Sequence, residues 1–125
     1  MSIGRTSVWA AAVVLGCLGA NARAQPAPIT CYFTEPFVRT VFDPGRHTLT
    51  VVYDVEKRSD VERGVSLQAS SPTDLRLRNR TGEVVQELKL SHHGSDGMSD
   101  RVYPYEARWT PRNDGLPQVL YGGCK

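Results

Sequence analysis

Long apolar runs are missing from this chain of 125 residues except at its start, and the run there is short. Val8 to Leu15 falls below the roughly 20 apolar residues that a membrane-spanning helix needs, and Gly16, Gly19 and Asn21 interrupt its continuation. Beyond residue 24 no helical apolar stripe runs for ten residues, which argues against a helical bundle. Cysteine is scarce, with three in all, so few bridges are open to it. Charge of one sign is also missing. The formal +2 resides in Arg5 and Arg23, so residues 25–125 balance to zero. No dense basic patch with interleaved aromatics occurs, and nucleic acid is not an expected partner. The serines form no G-x-S-x-G elbow, and there is no cofactor motif.

What the start does carry is an export address. Arg5 supplies a positive region, Val8 to Leu15 an apolar one, and Ala22-Arg23-Ala24 a small-x-small cleavage pattern. Residues 1–24 read as a signal peptide and 25–125 as one β domain, periplasmic or secreted. An alternative is processing at Cys17, because Val14-Leu15-Gly16-Cys17 loosely resembles a lipobox; the product would be an outer-membrane lipoprotein. Export leaves Cys31 and Cys124, which permit one intramolecular disulfide. Closing a loop of that length is worth roughly 4–5 kcal/mol in chain-entropy terms.

After a proline-broken leader at 25–28, the chain reads as short β segments between turns. Residues 29–34 and 37–42 are β-branched and aromatic. Asp43-Pro44-Gly45-Arg46 is a turn, because proline presets φ and glycine tolerates a positive one. Leu49, Val51, Tyr53 and Val55 share a face of the next segment, and 56–60 is a charged tip. Residues 61–69 alternate as one strand, and Leu75-Arg76-Leu77-Arg78 alternates with its arginines outward. A turn at 79–83 precedes a strand at 84–90, then a polar loop at 92–100. Tyr103, Tyr105, Ala107 and Trp109 share a face of 102–110. Residues 111–117 turn again, and 118–124 close the chain on a flexible diglycine. The expected fold is all-β: a small antiparallel barrel or sandwich of seven to eight short strands, its ends tied by Cys31–Cys124. Asn79-Arg80-Thr81 matches a glycosylation sequon, but the same residues make a plain turn.

The densest polar segment is Ser91-His92-His93-Gly94-Ser95-Asp96-Gly97-Met98-Ser99-Asp100-Arg101. Adjacent histidines on an extended chain point to opposite faces, so no metal site is expected from His92 and His93. The carboxylates Asp96 and Asp100 lack calcium-loop spacing. A compact loop held by Asp and Ser side chains on nearby backbone N–H groups is the better expectation, with Gly97 at positive φ.

Asp96 to Tyr105 resembles the D-G-M-S-D-R-x-Y-P-[YF] signature of a family of uncharacterised bacterial envelope proteins, small and exported or lipidated. Thr34-Glu35-Pro36-Phe37 is similar to that family's T-E-P-F segment, and Gly123-Cys124 to its terminal G-C. Family members often carry a cysteine two residues before the D-G-M-S-D run. Here that position is Gly94, which leaves Cys31 as partner for Cys124. The resemblance implies location and fold; it implies no activity.

The function expected from these features is non-catalytic: a binding or inhibitor-type module for an envelope protein or polymer, monomeric and without cofactor. Its binding loop would comprise His92, His93, Asp96, Gly97, Met98, Ser99, Asp100, Arg101 and Tyr103. Two alternatives are a carrier of a small apolar ligand within the sheet and a small hydrolase using Ser91, His92 and Asp96.

Overall fold

The computed structural model describes residues 27–34, 36–111 and 119–125. The signal peptide expected at 1–24 with Cys17, Glu35 and most of the turn expected at 111–117 lie outside the described residues. The described chain is all strand: β1 (Ile29–Phe33), β2 (Val38–Asp43), β3 (Thr48–Tyr53), β4 (Arg58–Arg63), β5 (Ser66–Ala69), β6 (Asp74–Arg78), β7 (Val84–Gly94), β8 (Tyr103–Trp109) and β9 (Leu120–Cys124). That is nine strands where seven or eight were expected. Among the described residues no helix is long and apolar enough to cross a membrane.

All nine strands form one antiparallel sheet in the order β4-β3-β2-β1-β9-β8-β7-β6-β5. The sheet is two meanders, β1–β4 and β5–β9, joined side by side where Cys31 to Phe33 pair with Gly122 to Cys124. The extra strand arises at 61–69. The single alternating strand expected there is broken by Gly64, at φ +77°, with the Arg80 side chain occupying the space a Cβ would need. Its halves belong to β4 and β5, the opposite edges of the sheet.

That break dictates the shape. Arg63 ends one edge strand and Ser66 starts the other, so the two edges lie within roughly 10 Å of each other along the chain. The sheet therefore curls into a barrel-like half-cylinder. A hydrogen bond across the interior shows the same curl. Thr40 Oγ1 on β2 donates to Gln86 Oε1 on β7 at 3.1 Å, although three strands separate β2 from β7 in the sheet. Gln86 Nε2 in turn donates to Cys31 Sγ at 2.8 Å. Both Thr40 and Gln86 are fully buried, and no buried polar side-chain atom among the described residues lacks a partner. A satisfied polar pair inside costs little; a lone one would cost about 1–3 kcal/mol.

The alternation produces the core. Phe33, Phe42, Leu49, Leu77, Leu88 and Trp109 fill the interior, each at most 4% exposed. Phe33 and Trp109 pack with ring centroids 5.4 Å apart. Leu49 and Tyr53 face inward with Val51 half-buried beside them, whereas Val55 lies beyond β3 in the turn and is 69% exposed. Cys31 and Cys124 are directly opposed in register and bonded, closing a separation of 93 residues.

Turn chemistry agrees closely with the sequence. Asp43 Oδ1 accepts the N–H groups of Gly45 and Arg46. Asn79 Oδ1 accepts from Thr81 N, Thr81 Oγ1 and Glu83 N, with Gly82 at φ +84°. Asn79 is 7% exposed, so the sequon match is a turn device with its side chain committed.

Candidate functional site

The polar segment after Leu90 divides in two. Residues expected to begin a loop at His92 instead continue β7 to Gly94, across a register shift between Leu90 and Gly94. His92, at φ +59°, sits in that irregularity, and both histidines are exposed. Extra residues on one strand bend it and re-aim its side chains. Gly94 packs at the end of the strand, where a Cβ would run into the Tyr105 backbone. The connection proper is 95–102.

Asp96 organises it. Its Oδ1 accepts from Met98 N at 2.9 Å and Ser99 N at 2.7 Å. Its Oδ2 accepts from Ser99 Oγ at 2.6 Å and from the Tyr103 hydroxyl at 3.1 Å. Ser95 Oγ accepts from Gly97 N, and Ser99 Oγ from Arg101 N. Gly97 takes φ +82°, as its residue type predicts. The Ser99 hydroxyl and backbone bonds, then the Met98 N–H, hold the Asp96 carboxyl well below the usual carboxylate range. Burial, reinforced by the Asp96 carboxylate, pushes the Tyr103 hydroxyl pKa up.

Three segments far apart in the chain meet here, at Thr34, at Asp96 to Tyr103 and at Gly123. Thr34 Oγ1 donates to the Asp96 carbonyl at 2.9 Å and stands where a Cβ on Gly97 would be, 2.6 Å away. Tyr103 packs against Tyr32 with centroids 5.5 Å apart. The Tyr103 ring lies over Gly123, where a Cβ would sit 2.7 Å from Cδ2 and 3.0 Å from Ser95 N. The terminal diglycine is therefore no flexible tail. Gly122 and Gly123 belong to β9, are buried, and give the connection a surface without side chains to lie on.

Of the expected binding residues, Asp96, Gly97, Ser99 and Tyr103 build this scaffold. Met98 is 70% exposed and Val102, outside the expected set, is 66% exposed. The side chains of Asp100 and Arg101 make no hydrogen bond or ion pair among the described residues. His92 stands apart on β7 while His93 lines a groove with Ser95 and Gly97, and no cluster of three or more His, Cys, Asp or Glu side chains occurs among the described residues. No hydrogen bond joins Ser91, His92 and Asp96: Ser91 Oγ accepts from His93 N, and both Asp96 oxygens serve the loop. Two partners were not foreseen, Thr34 and Gly123. Their segments stand out in the sequence, but nothing local ties them to Asp96.

No family model, no curated protein and no solved structure matches the chain.

Proposed function

We propose that this is an exported, non-catalytic binding module that docks an envelope protein through the 95–102 connection. One observation carries the reading. A backbone held by its own Asp, Ser and Tyr side chains presents apolar Met98 and Val102 beside uncommitted Asp100 and Arg101. Interfaces draw on such a grouping, with apolar anchors at the centre, charges at the rim and little ordering cost on binding. The buried disulfide supports an oxidising compartment, and the resemblance supports the envelope. The interior filled by Phe42, Leu88 and Trp109 favours docking over carriage of an apolar ligand.

The test is quantitative capture from an envelope extract by immobilised protein. A Met98→Glu, Val102→Glu double variant should lose the captured partner, while Phe37→Ser, an exposed apolar change elsewhere, should keep it. Capture unaffected by the double variant would overturn the reading.

A further inference from the structure

The outer face of β6–β9 carries a feature that neither the loop nor the core uses. Cross-strand register aligns two rows of outward side chains. Arg76, Glu87, Arg108 and Tyr121 form one; Asp74, Lys89 and Glu106 form the other, which ends at Gly123 beneath the Tyr103 ring. Between the rows the backbone of Leu88 and Ala107 makes a floor, since their side chains turn into the core. The groove holds about 360 Å³. A second, of about 290 Å³, extends it past Tyr121 to Ser95 and Gly97. Glu106, Ala107 and Tyr121 line both. Three strand spacings of about 4.8 Å make the trough roughly 14 Å long from β6 to β9.

Two properties restrict the occupant. Charge signs alternate along and across the rows, three of each, so a uniformly charged polymer meets as much repulsion as attraction. The charges are also largely unspent. Glu87 and Arg108 form one loose pair at 3.8 Å, with both side chains about half exposed, and Arg76, Lys89 and Glu106 have no polar side-chain partner among the described residues. At the β9 end, where the two grooves meet, stands Tyr121, 71% exposed, a flat apolar face with a polar tip. An apolar platform flanked by separate donors and acceptors suits a neutral ring whose faces are C–H and whose edges are hydroxyl.

We propose that this trough binds a neutral, hydroxyl-rich oligosaccharide laid across β6–β9 with one sugar ring stacked on Tyr121. The trough ends against Ser95 and Gly97 of the 95–102 connection, but the stacking position at Tyr121 does not use the exposed Met98 and Val102 side chains.

The probe is the neutral trimer of N-acetylglucosamine, titrated into the isotope-labelled, disulfide-bonded protein and followed by amide chemical shifts. Trigalacturonic acid is the charged comparison. Shifts should cluster at Ala107, Tyr121 and Gly122, and affinity should fall by at least about tenfold in Tyr121→Ala, which corresponds to about 1.4 kcal/mol. Tyr121→Phe should retain most of it, and the Met98→Glu, Val102→Glu variant all of it. No shifts with the neutral trimer, undiminished affinity in Tyr121→Ala, or preference for the acidic trimer would each overturn the proposal.

Discussion

The β3–β4 turn, Asp54-Val55-Glu56-Lys57, and the β7–β8 connection at 95–102 are both polar and both largely exposed. In the first, Asp54 takes Arg39 as an ion-pair partner at 3.3 Å and Lys57 accepts a left-handed φ of +52°. Among the described residues no side-chain bond ties Val55, Glu56 or Lys57 to the rest of the sheet. In the second, one carboxylate gathers four donors, a glycine takes the positive φ, and a tyrosine ring is seated on Gly123. Order in an exposed loop thus comes from an acceptor placed at a turn and an anchor in the sheet. A short hairpin needs neither, because its flanking strands already fix its ends. A longer connection must supply its own constraints to become a presenting surface.

Removing the anchor should have the largest effect. Gly123→Val places methyl groups against the Tyr103 ring and the Ser95 backbone, and overpacking of this kind costs about 1–3 kcal/mol. Urea unfolding should show that loss, and amide exchange should quicken at 95–102 while 54–57 stays as it was. If both segments quicken equally, the anchor is not what separates them.

Backbone handedness separates the two loops through opposite signs. Gly97→Ala should destabilise by roughly 1–2 kcal/mol, since φ +82° disfavours a Cβ and Thr34 Oγ1 stands 2.6 Å from it. At the other loop Lys57→Gly, relieving φ +52°, should be neutral or raise the melting temperature slightly. Thermal melts of the two variants check this, and a shared sign would defeat it.

The smallest effect is electrostatic. Asp96 has a lowered pKa in the folded protein, so its contribution is fully present above the ordinary carboxylate range and is lost only as pH falls through the folded value. Protection of the Met98 and Ser99 amides should therefore survive acidification past pH 4, roughly where unperturbed carboxylates titrate. Asp96→Asn should shorten that protection at every pH. Loss of protection at the ordinary aspartate midpoint would show the carboxylate to be free.

Much of this was legible because its causes are local. Alternation at Leu75 to Arg78 and at Tyr105 to Trp109 names a buried face whatever the partner strand, whereas Tyr103, expected on that face, is buried outside the core against Tyr32 and Gly123. Asp96 followed by Gly97 and Ser99 states its own turn, and, with Cys17 read as part of the expected signal peptide, Cys31 and Cys124 allow one bond. The same logic explains the misses. Residues 61–69 alternate equally well as one strand or as two, and only the strand order of the sheet shows that Gly64 separates them. Gly122-Gly123 looks like a loose end until Tyr103 is seen to need the space. The charges of β6–β8 were visible as a wet face, but their checkerboard depends on register.

Strands, turns and a self-held loop were therefore set by the residues alone, because hydrophobic period and turn residues act within a few positions of one another; the disulfide, which spans 93 residues, followed from the cysteine count. Three things waited on the curled sheet: that β4 and β5 form opposite edges, that Thr34 and Gly123 complete the Asp96 loop, and that Tyr121 stands over a trough. Each depends on pairings between residues far apart in the chain, and cross-strand pairing is selected by the whole sheet, which no short stretch encodes.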